Sequence, residues 1–573
     1  MINIIKYIFR KQMVKSDEFH LNASLKWLES NHIKNNGFAK KYNFLTGIDK
    51  SYPETTGYII SSLINYSLTY KTNKYDSIIN ESVRWLISIQ NKDGSFNDTS
   101  NTPQVFDTGQ IILGLTCAYN YLNKPKKIYD SIDRACNFLI RVQSSDGSFH
   151  KFSYNKIKHT YYSRVAWALL EAYKITKKEA YKISAIKNLD WVLSMQEDNG
   201  YFKCMSFDKK QYPYLHTMIY VLEGLLESYK ITKESKYKFA VIKTVSVLLE
   251  ISKKRDFILR SQYKKDFSVA NSQKCIPGLI QFAGLCVDLY DYEKDEKYIT
   301  EAKKILAYVK SKQILDNTSK KVYGGFCASI PFYGRYGRFE IVNWNNKFFI
   351  DLILKIKNYN IEENELDVYI SERFNFFSKK RYSEENIEQR DEKILHMTKQ
   401  YIKGKVLDLG CGKGKIVKYL KNKGVDIIGV DPAVEYLKNA ELNLLKADVY
   451  DTKLKANSVD TILLIEVLQH VPYIDKAFLH IKNIIKDGGH ILVVERNKIS
   501  IMQILKPFME KLDLWMYPSD SPFFERSMYK KQWIELFAKL GPTVFVRKIS
   551  GDGKIAKHLN KYYVFVIKVD KSK

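Results

Sequence analysis

Two aspartates and three alternating glycines stand close together in one region of the chain. Asp408, Gly410, Gly412 and Gly414 lie in "KVLDLGCGKGKIVKYLKNKG", and Asp431 closes "VDIIGVD". Glycines at alternate positions admit backbone conformations that a Cβ forbids, and they let the chain approach a ligand closely. A short apolar run, this turn, a helical pattern and a second apolar run ending in an acid 21 residues after Gly410 have the order of a dinucleotide-type β/α unit. At the end of the second strand, Asp431 is placed to accept two hydrogen bonds from a ribose diol. Asp408 departs from the dinucleotide fingerprint, in which glycine follows the apolar strand directly. A carboxylate there suits a ligand bearing an ammonium group rather than a pyrophosphate.

A second set of chemically capable residues lies far upstream. Glu54, Asp107, Arg164 and His216 each stand at the start of an apolar helical pattern: "ETTGYIISSLINY", "FDTGQIILGLTCAY", "YYSRVAWALLEAY" and "LHTMIYVLEGLLESY". Glu223, Asn271, Gln281, Asn345 and Lys347 join them if the helix starts share one end of a cavity. A carboxylate pair with an arginine and a histidine is able to hold a sugar or to perform acid/base chemistry on one. Glu54 and Asp107 are also plausible as helix-capping charges favoured by the dipole. The 41 tyrosines favour carbohydrate stacking, although tyrosine also packs helices.

The elements that must position these residues announce themselves by repetition. "QNKDGSF", "QSSDGSF" and "QEDNGYF" begin at Gln90, Gln143 and Gln196, 53 residues apart each time, and Trp85, Phe138 and Trp191 keep the same spacing. Asp-Gly is turn chemistry, so the phrase ends an amphipathic helix and reverses the chain, with Phe96 and Phe149 stapling the turn to the core. Thr56, Thr108, Ser163 and Thr217 mark equivalent positions in the second helix of each pair, at spacings of 52, 55 and 54. Fainter copies follow in "CIPGLIQFAGLCVDLY" and "NWNNKFFIDLILKI". Such pairs cannot bury their apolar faces alone. The expected arrangement is an all-α, closed (α/α)6 toroid with the more apolar helices inside; an open solenoid is the alternative. The pairs resemble the α/α toroids of the terpenoid-cyclase and protein-prenyltransferase superfamily, over about residues 20 to 358. They are more similar to toroids in polysaccharide-biosynthesis proteins and in polysaccharide-active epimerases, lyases and hydrolases. The chain lacks the DxDD motif of squalene cyclases and a readable prenyltransferase zinc set, which disfavours both of those chemistries.

Past a charged stretch without proline or glycine, the pattern changes from α/α to β/α. "VLDLGCGKG" resembles the first motif of class I S-adenosylmethionine-dependent methyltransferases, and later segments match in order from about 385 to 570. The resemblance implies a Rossmann-like, seven-stranded sheet closed by an antiparallel hairpin, "GPTVFVRKI" with "KYYVFVIKV". It implies S-adenosyl-L-methionine as cofactor, with Asp408 and Gly410 at the methionine moiety, Gly412 and Gly414 in the same turn, and Asp431 at the ribose. Asp448 and Val449 in "LLKADVYD" would meet the adenine. Glu466 and His470 follow the fourth strand, and Glu466 is expected to line the cofactor. His470 is the candidate general base and Glu495, at the end of the fifth strand, a second catalytic candidate. The segment "ISIMQILKPFMEKLDLWMYPSDSPFFERSMYKKQW", with Arg526, would form a substrate lid.

Composition bounds the rest. At 573 residues the chain exceeds a single core. The expected domains are a toroid over 1–358, a linker helix over 359–384 and a methyltransferase domain over 385–573. The net charge of +29 comes from scattered lysines, with only 15 arginines, so no nucleic-acid partner is expected. Seven cysteines without a CxxC pair suggest a reducing compartment and no metal site. No apolar run reaches spanning length, and "MINIIKYIFRKQ" reads as a first core helix or a weak surface anchor, so the protein reads as cytoplasmic with at most peripheral membrane contact. The expected function is methylation of a saccharide or lipid-linked saccharide in surface polysaccharide biosynthesis, with the toroid binding the glycan. The alternatives are a toroid that is itself an epimerase, lyase or hydrolase, or one that is a non-catalytic scaffold.

Overall fold

The computed structural model describes residues 14–315, 321–381, 387–433, 442–496, 528–550 and 561–572. The chain divides into two compact units, Met1–Glu365 and Leu366–Lys573. The first unit is helical: α1 (Asp17–Asn31), α2 (Pro53–Tyr70), α3 (Asp76–Ile89), α4 (Val105–Tyr121), α5 (Lys126–Val142), α6 (Ser163–Thr176), α7 (Glu179–Ser194), α8 (Leu215–Thr232), α9 (Ser235–Ile251), α10 (Ile276–Glu293), α11 (Glu296–Lys310) and α12 (Asn343–Asn358). The even-numbered helices are apolar on most sides and form an inner ring. Each packs on the next, and α12 packs back on α2, so the ring is closed and the open solenoid is excluded. The odd-numbered helices flank them outside, α1 against α12 and each of the others against the inner helix before it. This is the expected (α/α)6 toroid.

The repeated phrase is a clamp between neighbouring repeats. Gly94 and Gly147 have φ of +92° and +88°, and a Cβ on them would lie 2.1 Å from the Arg134 carbonyl oxygen and 2.3 Å from that of Lys187. Gln90 Nε2 donates to the carbonyls of Gly94 and Ser131, and Gln143 does the same to Gly147 and Ser184. Asp93 and Asp146 accept the backbone N–H groups of Ser95 and Ser148 two residues on, and Phe96, Phe149 and Phe202 are wholly buried. The clamp that closes the ring is one that the sequence repeat does not reveal. Gln313 Nε2 donates to Gly324, to the His20 carbonyl and to Ser24 Oγ of α1, and Gly324 sits at φ +84° against the Ala23 carbonyl.

The second unit carries α13 (Glu365–Arg381, all but its first residue), α14 (Gln389–Met397), β1 (Val406–Leu409), α15 (Lys415–Lys421), β2 (Ile427–Asp431), β3 (Leu444–Lys446), β4 (Val459–Ile465), α16 (Ile474–Ile484), β5 (Ile485–Arg496), α17 (Lys530–Phe537), β6 (Thr543–Ser550) and β7 (Lys561–Lys568). The sheet order is β3-β2-β1-β4-β5-β7-β6. The first five strands are parallel, while β7 lies antiparallel to both β5 and β6. Buried β-branched and leucine residues on β1, β2, β4 and β5 give two apolar faces, as a sheet covered on both sides requires. The chain reverses its strand order between β1 and β4, which opens a crevice at the carboxyl ends of those strands.

Candidate functional sites

In the first unit, all four upstream candidates occupy the first turn of an inner helix: Glu54 on α2, Asp107 on α4, Arg164 on α6 and His216 on α8. The ring brings them together. Close packing sets two of them, because a Cβ on Gly224 of α8 would lie 2.5 Å from Arg164 N, and one on Gly278 of α10 would lie 2.6 Å from His216 N. Glu54 and Asp107 are not helix caps: the N-cap residues are Tyr52 and Gln104. Tyr52 donates its hydroxyl to Asp107 Oδ2 at 2.7 Å, and Tyr58 donates to Glu54 Oε1 at 3.3 Å.

Arg164 and His216 belong to a hydrogen-bonded chain that the sequence only partly revealed. Arg164 Nε donates to Gln110 Oε1 at 2.8 Å, and its Nη1 pairs with Glu223. Gln281 Nε2 donates to the same Glu223 carboxylate at 2.9 Å, and Gln281 Oε1 meets His216 Nδ1 at 2.5 Å. With Nδ1 turned to an amide oxygen, the neutral ring donates there and leaves Nε2 as an acceptor. Burial pushes His216 down to about 3, so it is neutral. Burial, then Asp107, raises Glu54 to about 8, and burial also raises Asp107. Rings line the same region: His216 lies 4.3 Å from Tyr220 and 5.4 Å from Tyr336, centroid to centroid, and the Arg164 guanidinium lies 4.8 Å from the Tyr220 ring. Gln110, one turn beyond Asp107, was legible as the next residue on that face. Tyr52 and Tyr336 come from loops and carried no spacing signal.

Other upstream residues have partners within the unit. Asn345 Nδ2 donates to the carbonyls of Phe326 and Cys327, and Asn271 pairs with Gln262 and Gln273. Lys347 pairs with Asp351.

In the second unit, Asp408 is the penultimate residue of β1 and is wholly enclosed. Its Oδ2 has no hydrogen-bond partner among the described residues. Burial first, then the neighbouring Asp431 and Asp391, raise it to about 8. Gly410, Gly412 and Gly414 all have positive φ. A Cβ on Gly412 would meet nothing within 4 Å, which leaves an open cradle over the turn. Asp431, the last residue of β2, accepts Gly412 N–H at 2.9 Å and Ala433 N–H at 2.8 Å, one on each oxygen. Each oxygen retains a lone pair for a diol. Asp448 Oδ1 accepts the N–H groups of Tyr450 and Asp451 and closes the turn after β3, and Val449 packs half-buried against the core.

The turn after β4 is gripped from both sides. Glu466, expected at the cofactor, stands at φ +58°; its carboxylate is taken by Arg390 at 2.5 Å and by Arg496 at 2.9 Å, and these guanidiniums hold it below the usual carboxylate range against the effect of burial. Glu495, expected to be catalytic, is fully buried. Its Oε1 accepts Leu468 N–H at 2.7 Å and Gln469 N–H at 3.4 Å, so its contact is to the backbone of the short helix Leu468–His470. His470 is half-buried at the end of that helix. The proposed lid lies almost entirely outside the described residues, as do Arg526 and the opening 1–13. No described helix is long and apolar enough to cross a membrane.

The profile of the prenyltransferase alpha-alpha toroid domain matches residues 7–291 and 111–337, and that of a methyltransferase domain matches residues 407–493. The chain is 28% identical over 174 residues to a ubiquinone biosynthesis O-methyltransferase of Pectobacterium atrosepticum, covering 25% of this chain and 72% of that protein. It is 30% identical over 168 residues to an uncharacterized protein of Methanocaldococcus jannaschii, covering 28% of this chain and 72% of that one. Among solved structures it is similar to an unsaturated glucuronyl hydrolase specific for heparin, at 14% identity and a TM-score of 0.49, over 61% of this chain and 98% of that one.

Proposed function

The chain belongs to the prenyltransferase α/α-toroid domain family and ends in an S-adenosylmethionine-dependent methyltransferase; from that premise we propose that it methylates a hydroxyl of a glycan or glycan precursor that the toroid binds. The observation that carries the glycan part is the toroid's cluster of polar residues on the inner helices, the first-turn Glu54, Asp107, Arg164 and His216 with Glu223 and Gln281 farther along theirs, set among tyrosine rings. Planar polar groups beside aromatic faces match a ligand whose rings have apolar faces and hydroxyl edges. The relatives named for O-methyl transfer support an oxygen acceptor.

The second unit's residues suit the cofactor. The orphaned Asp408 carboxyl oxygen would accept its ammonium group, the open face of Gly412 would let backbone meet it, and Asp431 would receive its ribose hydroxyls. S-adenosylmethionine, when bound, supplies an electrophilic methyl group. The chain's own contribution is then to place the acceptor in line with the breaking bond, which removes much of the barrier to such a displacement, and to take up the hydroxyl proton. His470 is the residue we assign to that proton, because the turn after β4 stands at the carboxyl ends of the parallel strands. Asp448 and Val449 would border the adenine.

Incubation of the full chain with methyl-labelled cofactor and surface-glycan intermediates, lipid-linked and free, tests the reading. Label in the glycan is expected; label confined to a quinone or another small metabolite overturns it. A second reading, in which the toroid itself is an epimerase, lyase or hydrolase, draws on the raised carboxyls of Glu54 and Asp107. Under that reading Asp107→Ala and His216→Ala abolish a sugar-modifying activity while methyl transfer persists.

A further inference from the structure

Buried carboxylates in proteins are paired with a cation, since an unpaired one is costly. The toroid obeys this rule with one exception. Among its described residues the buried acids are Asp107, Asp288, Glu301 and Glu365. Asp288 pairs with Lys355 at 2.5 Å, Glu301 with Lys304 at 2.6 Å and Glu365 with Lys310 at 2.6 Å. Asp107 has a tyrosine hydroxyl instead, and the adjacent half-buried Glu54 has another. Neither forms an ion pair among the described residues. The arginine beside them is occupied, with Glu223 and Gln110 on its guanidinium. Lys40 lies with its ammonium 4.2 Å from the Tyr52 ring centroid and makes no ion pair with either acid.

The groups around the two carboxyls are aromatic. Tyr52 and Tyr58 bond them directly, and Tyr161, Tyr220 and Tyr336 lie near enough to Glu54 for its charge to act on them. Tyrosine faces attract cations, and desolvation strengthens that attraction. Lys40 acts on both carboxyls and Arg164 on Glu54 from beyond contact, and Lys40, Arg164 and Lys347 lie over the Tyr52, Tyr220 and Tyr58 rings. With no cation bonded to either among the described residues, the two carboxyls form a receptor for a further positive charge.

We propose that the toroid selects a saccharide unit carrying a free, protonated amine, whose ammonium group lies between Glu54 and Asp107 beside the tyrosine rings. The proposal rests on the saccharide reading above and narrows it to amino sugars. Free Glu54 holds a proton near neutral pH because burial and Asp107 disfavour its charge; the opposing groups that face it are Lys40, Arg164 and its own Tyr58 hydroxyl. An ammonium placed there favours the carboxylate, so binding releases a proton to solvent.

Calorimetry on the full chain at pH 5.5, where the oligomer's amines are protonated and Glu54 still holds its proton, tests this, with a β-1,4-glucosamine oligomer, its fully N-acetylated counterpart and a neutral β-1,4-glucan of equal length, each in two buffers of different ionisation enthalpy. The amine oligomer is expected to bind roughly tenfold or more tighter than the other two, with net proton release and weakening in high salt. Glu54→Gln and Asp107→Asn, both isosteric, are expected to remove the selectivity and, for Glu54→Gln, the proton release. If the acetylated or neutral oligomer binds as tightly as the amine, or no proton is released, the amine proposal fails while a saccharide site stands. If none of the three binds, both fail.

Discussion

Asp408 and Glu495 are both enclosed carboxyls, yet their surroundings predict different defects. Asp408→Asn keeps the shape but removes the acid, so cofactor affinity is expected to fall roughly tenfold to a hundredfold by calorimetry, the usual range for losing a charge-assisted contact. The pH dependence follows from the raised value. A carboxyl held at about 8 when folded, against 3.8 as a free acid, binds more protons folded than unfolded between those limits. Its favourable contribution is therefore complete below about pH 4 and is lost as pH rises towards about 8. The cofactor-free protein is expected to lose thermal stability across that window, and Asp408→Asn to flatten the loss. Glu495 acts through the backbone it holds. Glu495→Gln still offers an amide oxygen to Leu468 and Gln469 and is expected to retain most activity. Glu495→Ala should lower kcat roughly tenfold with cofactor affinity unchanged. Equal losses in both variants would give the charge, rather than the hydrogen bonds, the leading role.

At the level of elements, two glycine substitutions separate turn from site. Gly94→Ala places a Cβ 2.1 Å from the Arg134 carbonyl at φ +92°, so it is expected to destabilise the toroid by about 2 kcal/mol or more in chemical denaturation. Gly412→Ala carries the left-handed penalty, about 1 kcal/mol, but meets no atom within 4 Å; its defect should appear as lost cofactor binding with little loss of stability. Gln313 closes the ring with donors to Gly324, His20 and Ser24, and its Oε1 meets His20 Nδ1 at 2.6 Å. Gln313→Ala removes the side-chain partner of His20 Nδ1 and the donor to Ser24 Oγ, while the Gly324 carbonyl keeps Asn346 Nδ2, and is expected to cost about 2–4 kcal/mol. The repeat was legible in the first three clamps because turn chemistry and helix period are written in neighbouring residues. It faded at the closing clamp, where no Asp-Gly phrase accompanies Gln313 and Gly324.

Over the whole molecule, the two sets of site residues belong to separate compact units. Asp107→Asn or Glu54→Gln is therefore expected to leave cofactor affinity unchanged while removing the preference for the amine-bearing saccharide, measured on the same preparation. What the sequence alone determined about this protein is whatever depends on short-range pattern: the helix pairs, the switch to β/α, the glycine turn, and the placing of Glu54, Asp107, Arg164 and His216 at helix starts. Tertiary structure decided which partner each charge received. Arg164 reached Glu223 and Gln110 across neighbouring inner helices, Glu466 went to Arg390 and Arg496, Glu495 went to a backbone turn, and Asp107 was left with a tyrosine. Those pairings join residues 27 to 76 positions apart. Ring closure and strand order bring them within reach, and neither the type of a residue nor its spacing encodes which distant neighbour will stand opposite.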